Sequence, residues 1–106
     1  MDDVEVVDRG SREIVVFLRG MIGPATESKL AAALQEVSLL EDLGNLDRVV
    51  VDTREVTAFD ECGLRFLLEM ERRGQAEGYE VAFSMISQPV LRALDRAHWH
   101  HLPLYS

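Results

Sequence analysis

A run of valines, Val49-Val50-Val51, closes on Asp52 and leads into Thr57-Ala58-Phe59-Asp60-Glu61-Cys62-Gly63-Leu64. The valines read as a buried strand. Leu64, Phe66, Leu67, Leu68 and Met70 then fall at helical spacing. A strand that hands over to a helix in so short a chain commits it to β-α-β architecture, with parallel strands and right-handed crossovers. The first helical turn begins at Asp60 and aims several unpaired backbone N–H groups at one exposed spot, a natural place for an acidic or phosphorylated group. Glu61 occupies that spot.

The rest of the chain supplies partners for this unit. Val4–Val7 reads as a first strand, turned by Asp8-Arg9-Gly10-Ser11 into a second, Ile14–Leu18, whose apolar residues on both faces make it central. Gly20 and Gly23 break the chain, and Pro24 opens a helix at a position where its missing N–H costs nothing. That helix sets Leu30, Ala31, Leu34 and Val37 on one face and stops at Leu43-Gly44-Asn45. The third strand is Arg48–Asp52, and the helix from about Glu61 to Glu77 ends at Gly78, a left-handed cap. Glu69 and Arg73 form an i,i+4 pair on its solvent side, worth a few tenths of a kcal/mol at most. Tyr79–Ile86 is the fourth strand. Ser87 caps a last helix through Gln88-Pro89, with Val90, Leu91 and Leu94 buried. Residues from His98 to Ser106 pack a final turn onto the sheet edge. The expected fold is α/β: a single domain over 1–106, a four-stranded mixed sheet with helices mainly on one face, and strands one and two antiparallel.

Composition excludes several functions. With 106 residues the chain can bury one core but not two. A net charge of −8, with ten scattered Arg and one Lys, Lys29, lacks the concentrated positive potential that nucleic acid requires. The same acidity favours a protein partner with a basic surface. No apolar run approaches the roughly 20 residues needed to span a bilayer, and Met1-Asp2-Asp3 does not resemble a secretory signal. One cysteine, Cys62, forms no internal disulfide, which fits a reducing cytoplasm. The excess of Arg over Lys points to a GC-rich genome.

Taken together, these motifs resemble STAS domains, the fold of bacterial anti-sigma factor antagonists and of the cytoplasmic tails of sulfate transporters. The likeness is sharpest from Val49 to Leu68, where the family reads Asp-Ser-Ser/Thr-Gly-Leu and this chain reads Asp60-Glu61-Cys62-Gly63-Leu64. Weaker matches are Gly20-Met21-Ile22, Gly78 and Pro103-Leu104-Tyr105. In the family's antagonists the first Ser after the Asp is phosphorylated by an anti-sigma kinase, which then releases the antagonist; the phosphate adds about −1.5 to −2 charge at a helix N-terminus. By this resemblance Asp60 caps the helix, Gly63 permits close packing, Cys62 replaces a small hydroxyl residue, and Glu61 replaces the phosphoacceptor. A carboxylate cannot be phosphorylated there. Gly23 stands where the family usually has an acid that helps form the partner-facing surface.

The resemblance implies a cytoplasmic, non-enzymatic, protein-binding regulator that engages an anti-sigma factor or kinase-like ATPase through Asp60, Glu61, Cys62 and Arg65, with Phe66 adding an apolar contact if it faces outward. Glu61 is then a partial phosphomimic or an escape from kinase control; read plainly, it is a first-turn acid favoured by the helix dipole. Two alternatives stand beside this regulator. One is a non-phosphorylatable scaffold or ABC-transporter-associated subunit, and the other, from a different class, is a nucleotide or metabolite sensor, for which no Gly-rich phosphate loop speaks. No catalytic, metal or cofactor residue is assigned. Cys62 reads as an inert packing residue, since Asp60 and Glu61 disfavour a thiolate. His98, His100 and His101 flank Trp99 without further ligands at metal-binding spacing. Asp60 and Glu61 diverge from a helix start and lack a nucleophile, which argues against acid–base catalysis. Thr57, placed in a loop before the helix, is the nearest hydroxyl for substitute phosphorylation.

Overall fold

The computed structural model describes residues 2–44 and 46–98. Its strands are β1 (Asp3–Asp8), β2 (Glu13–Ile22), β3 (Arg48–Phe59) and β4 (Glu80–Met85). Its helices are α1 (Glu27–Asp42), entered through a 3-10 turn at Pro24–Thr26, α2 (Glu61–Glu77) and α3 (Gln88–Arg96). The sheet order is β1-β2-β3-β4, with β1 antiparallel to β2 and the other neighbours parallel. This is the mixed four-stranded α/β sheet expected. Leu30 and Val37 of α1, Phe66, Leu67 and Met70 of α2, and Val90, Ala93 and Leu94 of α3 join one core with Ile14, Val16, Val49, Val51, Val81 and Phe83. All three helices therefore pack on the same sheet face. The opposite face carries cross-strand ion pairs: Arg19 reaches Asp3, Glu5 and Glu55, and Arg48 lies between Glu13 and Glu80.

Two strands are longer than the sequence reading has them. β3 continues past Asp52 to Phe59, and β2 continues through Gly20 to Ile22. The pairing slips by one residue on β3 opposite Phe17–Arg19 and again opposite Gly20–Met21. Such bulges absorb the polar Thr53-Arg54-Glu55 stretch, which otherwise imitates a strand end. They also explain why Val56 and Phe59, three apart, both reach the core. Gly20 does not break the strand; it takes φ +79° at the second slip, a conformation that suits glycine. Thr57 consequently lies within β3, exposed, and not in a loop.

The helix faces differ in detail from expectation. On α1, Ala31 is exposed and Ala33 is buried in its place. On α3, Leu91 is 48% exposed and Ala93 packs inward instead. Ser87 holds the N-cap place of α3 without a side-chain cap bond. Its backbone N–H donates instead to Thr53 Oγ1. Gly78 closes α2 at φ +88°, with its N–H donating to Gly74 O. The expected last turn, with Trp99, His100, His101 and Pro103-Leu104-Tyr105, lies outside the described residues.

Glu69 accepts from Arg73 at 3.0 Å and also from Arg72, and Arg73 Nη1 reaches Leu34 O at 3.3 Å, so the pair ties α2 to α1. Hydrogen bonds from Arg72 and Arg73 pull the Glu69 pKa down to about 2. A depressed carboxylate pKa stabilises the fold above the unfolded value of about 4.3, and that contribution is lost as pH falls toward the folded value. The pair is partly solvated, so the term is on the order of 1 kcal/mol or less. We expect Glu69→Gln to weaken the loss of stability between about pH 4.5 and 2, read from urea midpoints across that range. An unchanged slope would mean the pair adds nothing to folding.

Candidate functional site

The site forms where β3 gives way to α2. Phe59 is the last strand residue and turns its ring into the core. Asp60 remains extended, at φ −116° and ψ −163°, and its Oδ1 accepts from Cys62 N at 2.8 Å. This bond satisfies one of the unpaired donors at the helix start. The Asp60 N–H donates to Ile22 O at 3.2 Å, which fastens the junction to the end of β2. Gly63 is the tight point: a Cβ there would lie 2.4 Å from Phe59 Cε1. Absence of a side chain lets the first turn of α2 sit directly on the Phe59 ring.

Glu61 is exposed on that first turn and enters no hydrogen bond or ion pair with a described residue. Its charge is felt by Arg65, one turn on. Arg65 donates from Nη2 to Cys62 Sγ at 3.5 Å. The Cys62 sulfur first, then Glu27 and Glu61, raise the Arg65 pKa above its usual value, so the guanidinium stays charged. Cys62 is half-buried.

Two hollows flank this turn. A groove of 190 Å³ between α1 and α2 is lined by Glu27, Leu30, Ala31, Leu34, Cys62, Arg65 and Phe66. A second, of 270 Å³, lies between the end of β2 and the start of α2 and includes Met21, Gly23, Pro24, Ala58 and Asp60. Gly23 faces Asp60 so closely that a Cβ would lie 3.0 Å from Asp60 Oδ2. The Thr26 hydroxyl, buried, accepts from Gly23 N and donates to Gly23 O, which fixes this turn.

Of the residues singled out from sequence, Asp60, Glu61 and Arg65 are exposed together at the start of α2, and Cys62 lies beside them. Phe66 does not face outward. It is 3% exposed and belongs to the core, because it falls on the same side of α2 as Gly63, Leu67 and Met70. Sequence reasoning missed Glu27 and Met21, which α1 and β2 bring to the rim. The only local signal for them was Gly23-Pro24, which marked a turn but not what it turned toward. Among the described residues no His, Cys, Asp or Glu cluster could hold a metal ion. Nor, among them, is any helix long and apolar enough to cross a membrane.

Known structures share this architecture. The unphosphorylated form of the anti-sigma factor antagonist SpoIIAA superposes with a TM-score of 0.74 at 13% identity, over 97% of this chain and 87% of that one. The phosphorylated form of the Bacillus cell fate determinant SpoIIAA gives 0.76 at 10% identity, over 97% and 91%. An anti-sigma factor antagonist from Mycobacterium paratuberculosis gives 0.61 at 24% identity, over 99% and 86%. At these identities the likeness is one of fold. A comparison with curated protein sequences gives no match. The family model described as "Mlab, STAS domain", however, matches residues 5–104, so the chain belongs to the STAS domain family.

Proposed function

We propose that this protein is a cytoplasmic, non-enzymatic binding module of the anti-sigma factor antagonist type, and that Glu61 replaces its phosphorylation switch. The observation that carries the reading is the exposed Glu61 carboxylate on the first turn of α2, directly after the Asp60 cap and unpaired among the described residues. In STAS antagonists that place belongs to the phosphoacceptor, and a carboxylate supplies fixed negative charge with no hydroxyl to modify. The partner surface comprises Asp60, Glu61, Cys62 and Arg65 with the neighbouring α1 groove, and it suits a kinase-like anti-sigma ATPase with a basic face. Phe66 supports that groove from beneath.

The test uses the purified protein with the histidine-kinase-like anti-sigma ATPase of its own genome. The native chain should bind the ATPase and stay unlabelled with ATP, whereas Glu61→Ser should become labelled and, once labelled, bind roughly tenfold more weakly. If Glu61→Ser is never labelled and neither Ser nor Ala alters affinity, Glu61 has only a structural role.

A second reading, implied by the resemblance to STAS domains, is a non-phosphorylatable scaffold or a subunit docked on a transporter ATPase. Recovery of membrane ATPase subunits alone in a pull-down would select it over the antagonist.

A further inference from the structure

The opposite side of α2 holds a second recess. Leu64, Leu68, Glu71 and Gln75 follow one another at i, i+4, i+7 and i+11, a continuous stripe along one helix face. With Ala97 and His98, just beyond α3, they line a groove of 310 Å³. Leu68 is 55% exposed within this wall, while Leu64 packs partly against the core. Glu71 contributes the only carboxylate among the groove's described residues. The residue is half-buried, yet its Oε2 is shielded from solvent and has no hydrogen-bond partner among the described residues. A carboxylate oxygen that has given up water without gaining a donor is costly in the free protein, so its retention calls for an explanation.

We propose that this groove is a docking site for an arginine side chain of a protein partner. The apolar wall of Leu64, Leu68 and Ala97 matches the methylene stem, and Glu71 meets the guanidinium. The second oxygen of the carboxylate is the one that can accept from the guanidinium, as a charge-assisted hydrogen bond. Arginine fits better than lysine because its weakly hydrated guanidinium loses less on leaving water. The charge of the chain, −8, adds long-range attraction for a basic segment. The groove lies across α2 from the α1 groove, with Glu61 one turn before Leu64 at its N-terminal end, and its role does not rest on the function proposed for Glu61.

The experiment is a titration of the isotope-labelled full chain with butylguanidinium, followed by amide chemical shifts, with uncharged butylurea as the control. Butylguanidinium should give saturable shifts confined to residues 64–75 and 97–98, and butylurea should bind roughly tenfold more weakly, as loss of a charge-assisted pair implies. Glu71→Met should abolish the response and also raise the melting temperature, because it removes the unpaired oxygen. Glu71→Gln, which keeps the shape, should weaken binding to the butylurea level. Glu36→Gln, on the solvent face of α1, should leave it unchanged. No saturable shift, equal response to the two probes, or a response that survives Glu71→Met overturns the proposal.

Discussion

Gly63→Ala should lower stability by about 2 kcal/mol, although the same change inside an ordinary helix raises it by up to about 1 kcal/mol. The new methyl would lie 2.4, 2.5 and 2.8 Å from three atoms of the Phe59 ring. That ring is 7% exposed and set among core side chains, so it cannot swing clear without moving its neighbours. Overpacking therefore outweighs the gain in helix propensity. For a chain of this size the loss corresponds to a fall of roughly 10 °C in melting temperature. In a Phe59→Leu background the contact is relieved, and Gly63→Ala should then be neutral or stabilising. A double-mutant cycle by urea denaturation reads this directly. If Gly63→Ala stabilises the native background as well, the ring does not constrain the turn. The result bears on function because the same contact sets the height of Asp60 and Glu61 above the sheet.

Thr53→Val should cost about 2 kcal/mol, from two part-buried backbone groups that each lose a partner. Valine has the same shape and a higher strand preference, and propensity alone would rank the change as favourable. Thr53 is fully buried, however, and its Oγ1 donates to Met85 O at 2.9 Å and accepts from Ser87 N at 3.3 Å. One hydroxyl thus closes both groups where β4 leaves the sheet and α3 begins. Thr53→Ser keeps the hydroxyl and loses only a methyl, so it should cost about 1 kcal/mol. Equilibrium unfolding of the two variants separates the bonding role from packing. Equal losses would reduce Thr53 to a space-filling residue.

These two residues also mark where the sequence was legible. Gly63 follows Asp60 in a pattern that predicts a capped helix start and close packing, and both depend on groups within a few residues of one another. The span of α2 and the left-handed Gly78 at its end were readable for the same reason: helix bonds are local, and start and stop signals lie beside them. Strand order and direction followed from the alternation of elements. Thr53, by contrast, looked like the polar end of a strand. Its partners lie more than thirty positions away, and nothing near it in sequence announces them. The continuation of β3 to Phe59 depends in the same way on residues supplied by β2, with bulges that erase the two-residue alternation a strand would otherwise show.

The candidate site divides along the same line. Asp60, Glu61, Cys62 and Arg65 lie within one and a half helical turns, so their grouping on the start of α2 was determined by the sequence alone. Phe66 sits one residue from Arg65, yet the face that α2 turns to α1 and the sheet takes it into the core. Only the tertiary structure set Gly23 against Asp60, brought Glu27 to the rim through α1, and aligned Leu64, Leu68 and Glu71 beside the end of α3. Periodicity states which residues share a helix face. What that face meets depends on the packing of elements far apart in the chain, and in this protein that packing separates the α1 groove beside Arg65 from the groove around Glu71.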